Sequence, residues 1–371
     1  MVGASYQRHA PRPRAERGRA DPSGGDRGRS LRCATMAPIP DTFRAYVVER
    51  RGDEQRLERG VRAVRPDELP PGEVTIRVEW SSVNFKDGLA AQFDGKVARI
   101  SPLIPGIDLA GTVIESDDPA FSPGDPVLAN GYEIGVSQHG GYAEYARLPS
   151  DWVVPRPTGL TAREAMAIGT AGFTAGLSVD ALEARGLRPG DGPVLVTGAT
   201  GGVGRLAVGL LAARGYEVWA ATGKPDETDR LRELGAAQVI SRAEVTAESP
   251  KPMESGRWAG AIDTVGGPTL PYILRTLRTY ASVAACGNTG GIAFSTTTQP
   301  FILRGVSLLG MTSANTPIAE RRALWARLAT DYRPIGLGED LTEVTLDTLD
   351  GALDGIVAGQ ARGRWIVRVG G

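Results

Sequence analysis

Three glycines, Gly198, Gly201 and Gly204, recur every third residue directly after the apolar run Val194-Leu195-Val196-Thr197. A side chain on such a turn would hold the backbone away from a pyrophosphate, and glycine removes it. The helix that begins there turns free N–H groups and a positive dipole end toward the same anion. Val203, Leu206, Ala207, Leu210 and Leu211 follow at helical spacing and give that helix one apolar face. Gly215 is a stop signal, and residues 216–221 read as a second strand. Strand, glycine turn, helix and strand in this order predict a dinucleotide-binding unit. The alternative is a purely structural turn in a chain that has 49 glycines.

The second strand ends in Ala221-Thr222-Gly223-Lys224. A site that prefers NAD ends this strand with Asp or Glu, which binds the ribose 2′-hydroxyl. Here a hydroxyl, a bare backbone and an ammonium stand in its place, a set suited to a 2′-phosphate. Arg242 follows the third strand and can close the same pocket. Lys224 is one of only four lysines among 42 basic residues, so bulk composition does not account for it. Its bland alternative is a solvated turn lysine.

Metal and thiol chemistry have little to work with. The chain has two cysteines, Cys33 and Cys286, and two histidines, His9 and His139. These suggest no disulfide framework, and a reducing cytoplasm fits. A Cys/His zinc site would need all four together, yet Cys33 and His9 fall in a tail of different composition.

The 371 residues are enough for two domains and a sizeable core. A formal net charge of −1 lacks the basic field a nucleic-acid binder needs. Residues 194–213 are apolar, but their glycine cluster and Arg205 favour strand–turn–helix over a membrane span. Residues 1–36 hold eight arginines against Glu16, Asp21 and Asp26, and the remainder carries about −6. Few large apolar residues lie in that stretch, so disorder, a transit peptide and a start at Met36 are the readings open for it.

The rest of the chain positions the chemistry. From Phe43 onward, short strands (residues 45–49 and 74–83, then runs after Pro105-Gly106, Pro123-Gly124 and Gly140-Gly141) alternate with Gly/Pro turns, as in a compact β-barrel-like domain. Residues 162–182 read as a helix whose Gly169-to-Ala175 run of small residues admits a backbone, a ligand or a tightly packed helix. Strands at 194–197, 216–221, 238–240, 258–264, 282–286 and 306–310 then alternate with helices at 202–214, 226–234 and 268–278. That alternation predicts a doubly wound parallel sheet. Helices at 321–330 and 346–358 and a strand at 365–369 are too short for a further domain and are expected to return to the first.

Several blocks resemble a known family. Trp80-Ser81-Ser82-Val83-Asn84-Phe85-Lys86-Asp87, Pro105-Gly106-Ile107-Asp108-Leu109-Ala110-Gly111, and residues 168–175, 258–266 and 300–304 are similar, in order, to those of the bacterial NADPH-dependent acrylyl-CoA reductases. These enzymes, also labelled quinone oxidoreductases, are zinc-independent members of the medium-chain dehydrogenase/reductase superfamily. The resemblance covers residues 43–369. It implies an α/β fold with a central Rossmann domain (166–311) for NADPH. It also implies a GroES-like domain of β-barrel type (41–165 with 312–371), preceded by a disordered or mis-annotated extension (1–40). Phe85, Thr200, Gly201, Gly202, Val203, Thr222, Gly223, Lys224, Arg242, Asn288, Ile302 and Ser313 then face the cofactor. Phe85 stands where the family often has Tyr.

Zinc enzymes of the superfamily carry a ligand cysteine and a Gly-His-Glu block where this chain has Phe85-Lys86-Asp87 and Gly106-Ile107-Asp108, so no catalytic metal is expected. The implied reaction is hydride transfer to an activated C=C bond, with acryloyl-CoA reduced to propanoyl-CoA. Asn84 and Lys86 are the candidates to polarise the carbonyl or deliver a proton, by placement alone. Asn84 could equally hold the turn. A quinone or enone reductase is the rival enzyme, and a non-catalytic NADPH-binding module is the rival from another class. The expected partners are an acyl-CoA or a quinone, with no nucleic acid and no membrane. A homodimer paired through the outer strand near residues 306–309, in the cytoplasm, completes the implied picture.

Overall fold

A computed structural model of the chain describes residues 38–51 and 56–370. The readings made for residues 1–36, Cys33 and His9 included, lie outside the described residues. β1 (Phe43–Arg51) and β2 (Arg56–Val64) form an antiparallel pair. β3 (Val74–Ser82) leads into the short helix α1 (Phe85–Ala90), and β4 (Asp108–Ser116), β5 (Pro126–Asn130), β6 (Tyr145–Leu148) and β7 (Val153–Pro155) follow. In β3, Val74, Ile76 and Val78 are fully buried on one face, while on the other Arg77 is exposed and Thr75 is buried.

Next comes α2 (Ala162–Ala184), then β8 (Val194–Thr197), α3 (Gly202–Ala213), β9 (Val218–Thr222), α4 (Thr228–Glu233), β10 (Ala236–Ser241), α5 (Arg242–Val245), β11 (Trp258–Asp263), α6 (Thr269–Thr276), β12 (Leu277–Ala285), α7 (Gln299–Arg304) and β13 (Ser307–Gly310). Strands β8 to β13 make a six-stranded sheet in the order β10-β9-β8-β11-β12-β13, with parallel pairing at every step. All four residues of the inner strand β8 are buried, as expected when helices cover both faces of a parallel sheet.

The last elements are α8 (Ile318–Leu328), β14 (Leu341–Thr345), α9 (Leu349–Val357) and β15 (Arg364–Arg368). β15 pairs antiparallel with β3 and parallel with β14, closing a seven-stranded sheet in the order β14-β15-β3-β4-β5-β7, with β6 also on β3.

α2 is long and apolar enough to cross a membrane by length and composition, yet 78% of its apolar window is buried inside the fold. It is a core helix, and its small residues let α3, β4 and β12 approach it closely. Gly169 interrupts it with φ 49° and ψ −160°, a conformation that only glycine adopts without strain.

Several strands differ from the sequence reading. β12 begins at Leu277, where a helix to residue 278 was expected. Its pairing with β11 slips between Trp258↔Leu277 and Gly260↔Ser282, and Tyr280 takes a positive φ of 62° in the slipped segment. β2 and β14 have no counterpart in the sequence reading. Both are rich in charged or hydroxyl residues (RLERGVRAV and LTEVT) and half exposed, so their alternation is muted.

Candidate active site

The carboxyl ends of all six parallel strands open on one side of the sheet, where ligands of doubly wound folds sit. After β8 the chain turns at Gly198 (φ 58°), and α3 begins with Gly201 as its N-cap. Gly201 has no side chain to cap the helix, so the first N–H groups of α3 are left for a ligand. Gly204 is needed for packing. A Cβ there would lie 2.3 Å from the Gly198 carbonyl oxygen.

Next door, at the end of β9, the Thr222 hydroxyl meets that of Thr200 (3.2 Å) and accepts from the Lys224 N–H (3.0 Å). A Cβ on Gly223 would lie 2.5 Å from Nη2 of Arg242, so the guanidinium is already against this turn. The Lys224 ammonium donates to the carbonyls of Gly359 (3.3 Å) and Ala361 (3.0 Å) on the segment before β15. Thr222, Gly223, Lys224 and Arg242 thus share one corner, as the sequence reading requires. Asp263, at the end of β11, turns inward: it accepts from Thr197 and Thr269 hydroxyls and the Gly266 N–H, and so stiffens the floor of the cleft.

The second half of the site starts at Asn84, the N-cap of α1. Asp87 accepts from the Asn84 N–H (2.9 Å) and Nδ2 (3.2 Å) with one oxygen, and from the N–H groups of Gly106 (3.2 Å) and Ile107 (2.9 Å) with the other. Burial, and then the charge of Asp108, push the Asp87 carboxyl up to about 7, with those donors opposing. Asp108 accepts from Ser82 Oγ (2.5 Å), Asn84 Nδ2 (2.9 Å), and the N–H (3.0 Å) and hydroxyl (2.5 Å) of Thr170. Phe85, at the first position of α1, is 38% exposed, and the half-buried Lys86 makes no ion pair among the described residues.

Arg364 joins the two halves. It is buried, and its guanidinium donates to the carbonyls of Ala167 (3.1 Å), Met166 (3.4 Å) and Val83 (3.3 Å) and to Asn84 Oδ1 (3.4 Å). Among the described residues no carboxylate stands within ion-pairing distance of it. Burial pulls its pKa below the usual guanidinium value, opposed by the charges of Asp108 and Asp87. A Cβ on Gly202 would come 3.3 Å from its Nη1. A cation with only neutral partners therefore lies beside the open N-terminus of α3, a setting that favours an anion.

Sequence reasoning missed Arg364. It is one of many arginines, and only its burial in the fold sets it apart. Of the other expected residues, Ser313 lies beyond β13, where its carbonyl accepts from the buried Arg321 (2.9 Å). Asn288 follows β12 beside Gly266, whose Cβ would fall 3.2 Å from the Asn288 Cα. Ile302 is 73% exposed on α7. Cys286 ends β12 with its thiol toward the Asp263 carbonyl, and burial pushes it up to about 12, out of thiolate range.

Two family profiles match the chain: "Alcohol dehydrogenase GroES-like domain" over residues 70–158 and "Zinc-binding dehydrogenase" over residues 202–330. Acrylyl-CoA reductase AcuI of Ruegeria pomeroyi is 46% identical over 327 residues, covering 88% of this chain and 99% of that protein. The crystal structure of the Salmonella enterica yhdH oxidoreductase with NADP superposes with a TM-score of 0.84 at 46% identity, covering 88% of this chain and 100% of the other. Bacillus subtilis yhfP with NAD bound gives 0.86 at 47% identity, over 88% of this chain and 99% of the other.

Proposed function

The chain belongs to the medium-chain dehydrogenase/reductase superfamily, and from that premise we propose that it is an NADPH-dependent reductase of activated C=C bonds that converts acryloyl-CoA to propanoyl-CoA. The observation that carries the reading is the reach of Arg364. One guanidinium touches Asn84, beside the exposed ring of Phe85, and stands against Gly202 of the glycine turn. That reach supports reading the residues for chemistry and those for the dinucleotide as one site. The acyl-CoA assignment is supported by the name of the Ruegeria relative, 46% identical over nearly its whole length.

The residues present fit NADPH. The uncapped N–H groups of α3 and Arg364 hold the pyrophosphate. Thr222, Lys224 and Arg242 take the 2′-phosphate at a strand end that has no carboxylate to repel it. The cofactor supplies a hydride when bound. Phe85 offers a ring face for a nicotinamide to stack on. Lys86, free of any ion pair among the described residues, hydrogen-bonds the thioester oxygen, where negative charge develops, and supplies the proton. Asn84 is bound inward at both ends of its amide and acts by holding the turn.

By this reading residues 166–311 form the nucleotide domain, and residues 41–165 with 312–371 form the other, both in a cytoplasmic protein. β13, an outer strand, carries the self-pairing surface of a homodimer. Exposed Tyr280, Ile302 and Leu303 gather around it, and an uncovered apolar edge would otherwise invite aggregation.

The test is NADPH oxidation with acryloyl-CoA, beside a quinone and an NADH control. Rapid turnover with NADPH and acryloyl-CoA alone supports the proposal. Turnover with the quinone alone refutes the acyl-CoA reading, and tight NADPH binding without turnover of either refutes the enzymatic one.

A further inference from the structure

The family profile over residues 202–330 is described as zinc-binding, and the described residues of this chain do not fit a metal. Among the described residues, no three His, Cys, Asp or Glu side chains gather where they could hold one. Asp108 is already saturated: four donor groups, from Ser82, Asn84 and Thr170, occupy its two oxygens. Asp87, three residues after Asn84, is filled by four N–H bonds in the same way. A cation entering here would have to displace those donors and leave them buried and unpaired.

We propose that this carboxylate knot does the positioning that a metal would otherwise do, and that Asp108 is a positioning residue for the nucleotide, acting through Asn84 and Arg364. The inference rests on the NADPH reading above. Two arms run from Asp108 to the guanidinium. In the first, Asp108 accepts from Asn84 Nδ2, which fixes the amide so that its oxygen points the other way, onto Arg364 Nη1. A neutral amide at 108 leaves Asn84 Nδ2 with Asp87 (3.2 Å) and Ser82 Oγ (3.1 Å) but takes away its shortest charged acceptor, which loosens the hold that keeps the Asn84 oxygen on the cation.

In the second arm, Asp108 holds the Thr170 N–H and hydroxyl just past the break at Gly169. The carbonyls of Met166 and Ala167, just before that break, accept from Arg364. The break itself is packed between the two ends: a Cβ at Gly169 would fall 2.6 Å from Asp108 Oδ2 and 2.8 Å from Arg364 Nη2. Both arms converge on the cation that faces Gly202.

The test is Asp108→Asn, read by titration with NADPH and, separately, with adenosine 2′-monophosphate, which reaches only the Lys224 corner. The variant is expected to bind NADPH about tenfold more weakly, the loss of one hydrogen bond to a charged group, and to bind the 2′-monophosphate unchanged. Equal NADPH affinities in wild type and variant would overturn the inference. So would an equal loss for both ligands, which is the signature of a general defect in the fold. Should Asp108→Asn fail to fold, Thr170→Val removes the hydroxyl bond to Asp108, together with the long contact from Asn130 Nδ2 (3.5 Å), and is expected to show the same split at about threefold. The wild-type protein, dialysed against a chelator, is expected to keep its NADPH affinity, and a loss there would also overturn the inference. A wild type that does not bind NADPH at all would overturn the cofactor reading, and this inference with it.

Discussion

Lys224→Ala isolates the choice between the two nicotinamide cofactors. In the structure the ammonium rests on two backbone carbonyls, Gly359 at 3.3 Å and Ala361 at 3.0 Å, and Arg242 lies against Gly223 beside it. A charge-assisted bond to a phosphate contributes about 1.5–3 kcal/mol, and releasing the carbonyls gives back about 1 kcal/mol. The net is about 0.5–2 kcal/mol, so Kd for NADPH rises about 2- to 30-fold. NADH has no 2′-phosphate, and its Kd stays within about twofold. Both are read by nucleotide fluorescence at low ionic strength, because this half-buried corner is screened by salt. An equal rise for both cofactors would refute the reasoning and make Lys224 a tether for the segment 359–361. No rise for either would leave the 2′-phosphate to Arg242 and Thr222, also against it.

Gly169→Ala combines a positive φ with a methyl driven into Asp108 and Arg364; urea unfolding should show a loss of at least about 3 kcal/mol. Asp87 has a folded-state value near 7, above the 3.8 of an ordinary aspartate, so unfolding releases its proton and its contribution to stability is lost as pH rises through that window. Between pH 5 and 7 this amounts to about 2 kcal/mol, and Asp87→Asn, though less stable overall, should lack that slope when unfolding is followed at both pH values. Ile302→Asp places a charge in the apolar surface around β13 and should turn a dimer into monomers in analytical ultracentrifugation, with nucleotide binding retained at the Lys224 corner.

The dinucleotide unit was legible because its signals are local. Strand, glycine turn and helix occupy one continuous stretch, and the missing carboxylate at Ala221-Thr222-Gly223-Lys224 is visible in four residues. Asn84 was legible as a candidate through its block, but its role was not: the amide is consumed by Asp87, Asp108 and Arg364, two of them distant in sequence. Arg364 was beyond reach for the same reason, since its partners come from residues 83–84 and 166–167. Boundaries failed where local preference met a tertiary demand. The segment from Leu277 follows a helical pattern, yet it pairs with Trp258 as strand and carries the irregular Tyr280. β2 and β14 were missed because sheet pairing, not apolar content, makes them strands.

β15 sets a timetable for synthesis. It lies inside the seven-stranded sheet, between β14 and β3, and its first residue, Arg364, touches Val83, 281 residues earlier. On a ribosome adding about 5–20 residues per second, β3 waits roughly 15–60 s for this neighbour. The six-stranded sheet, complete at Gly310, can form in that interval, while the Trp80-to-Ser82 end of the β3 edge, beyond the part that β6 covers, stays open to other strands. Arg364 arrives with β15, so on the proposed reading nucleotide binding and closure of this sheet are completed by the same five residues. A nascent chain stalled before residue 364 would hold the glycine turn without its guanidinium and an unpaired strand edge for chaperones to cover.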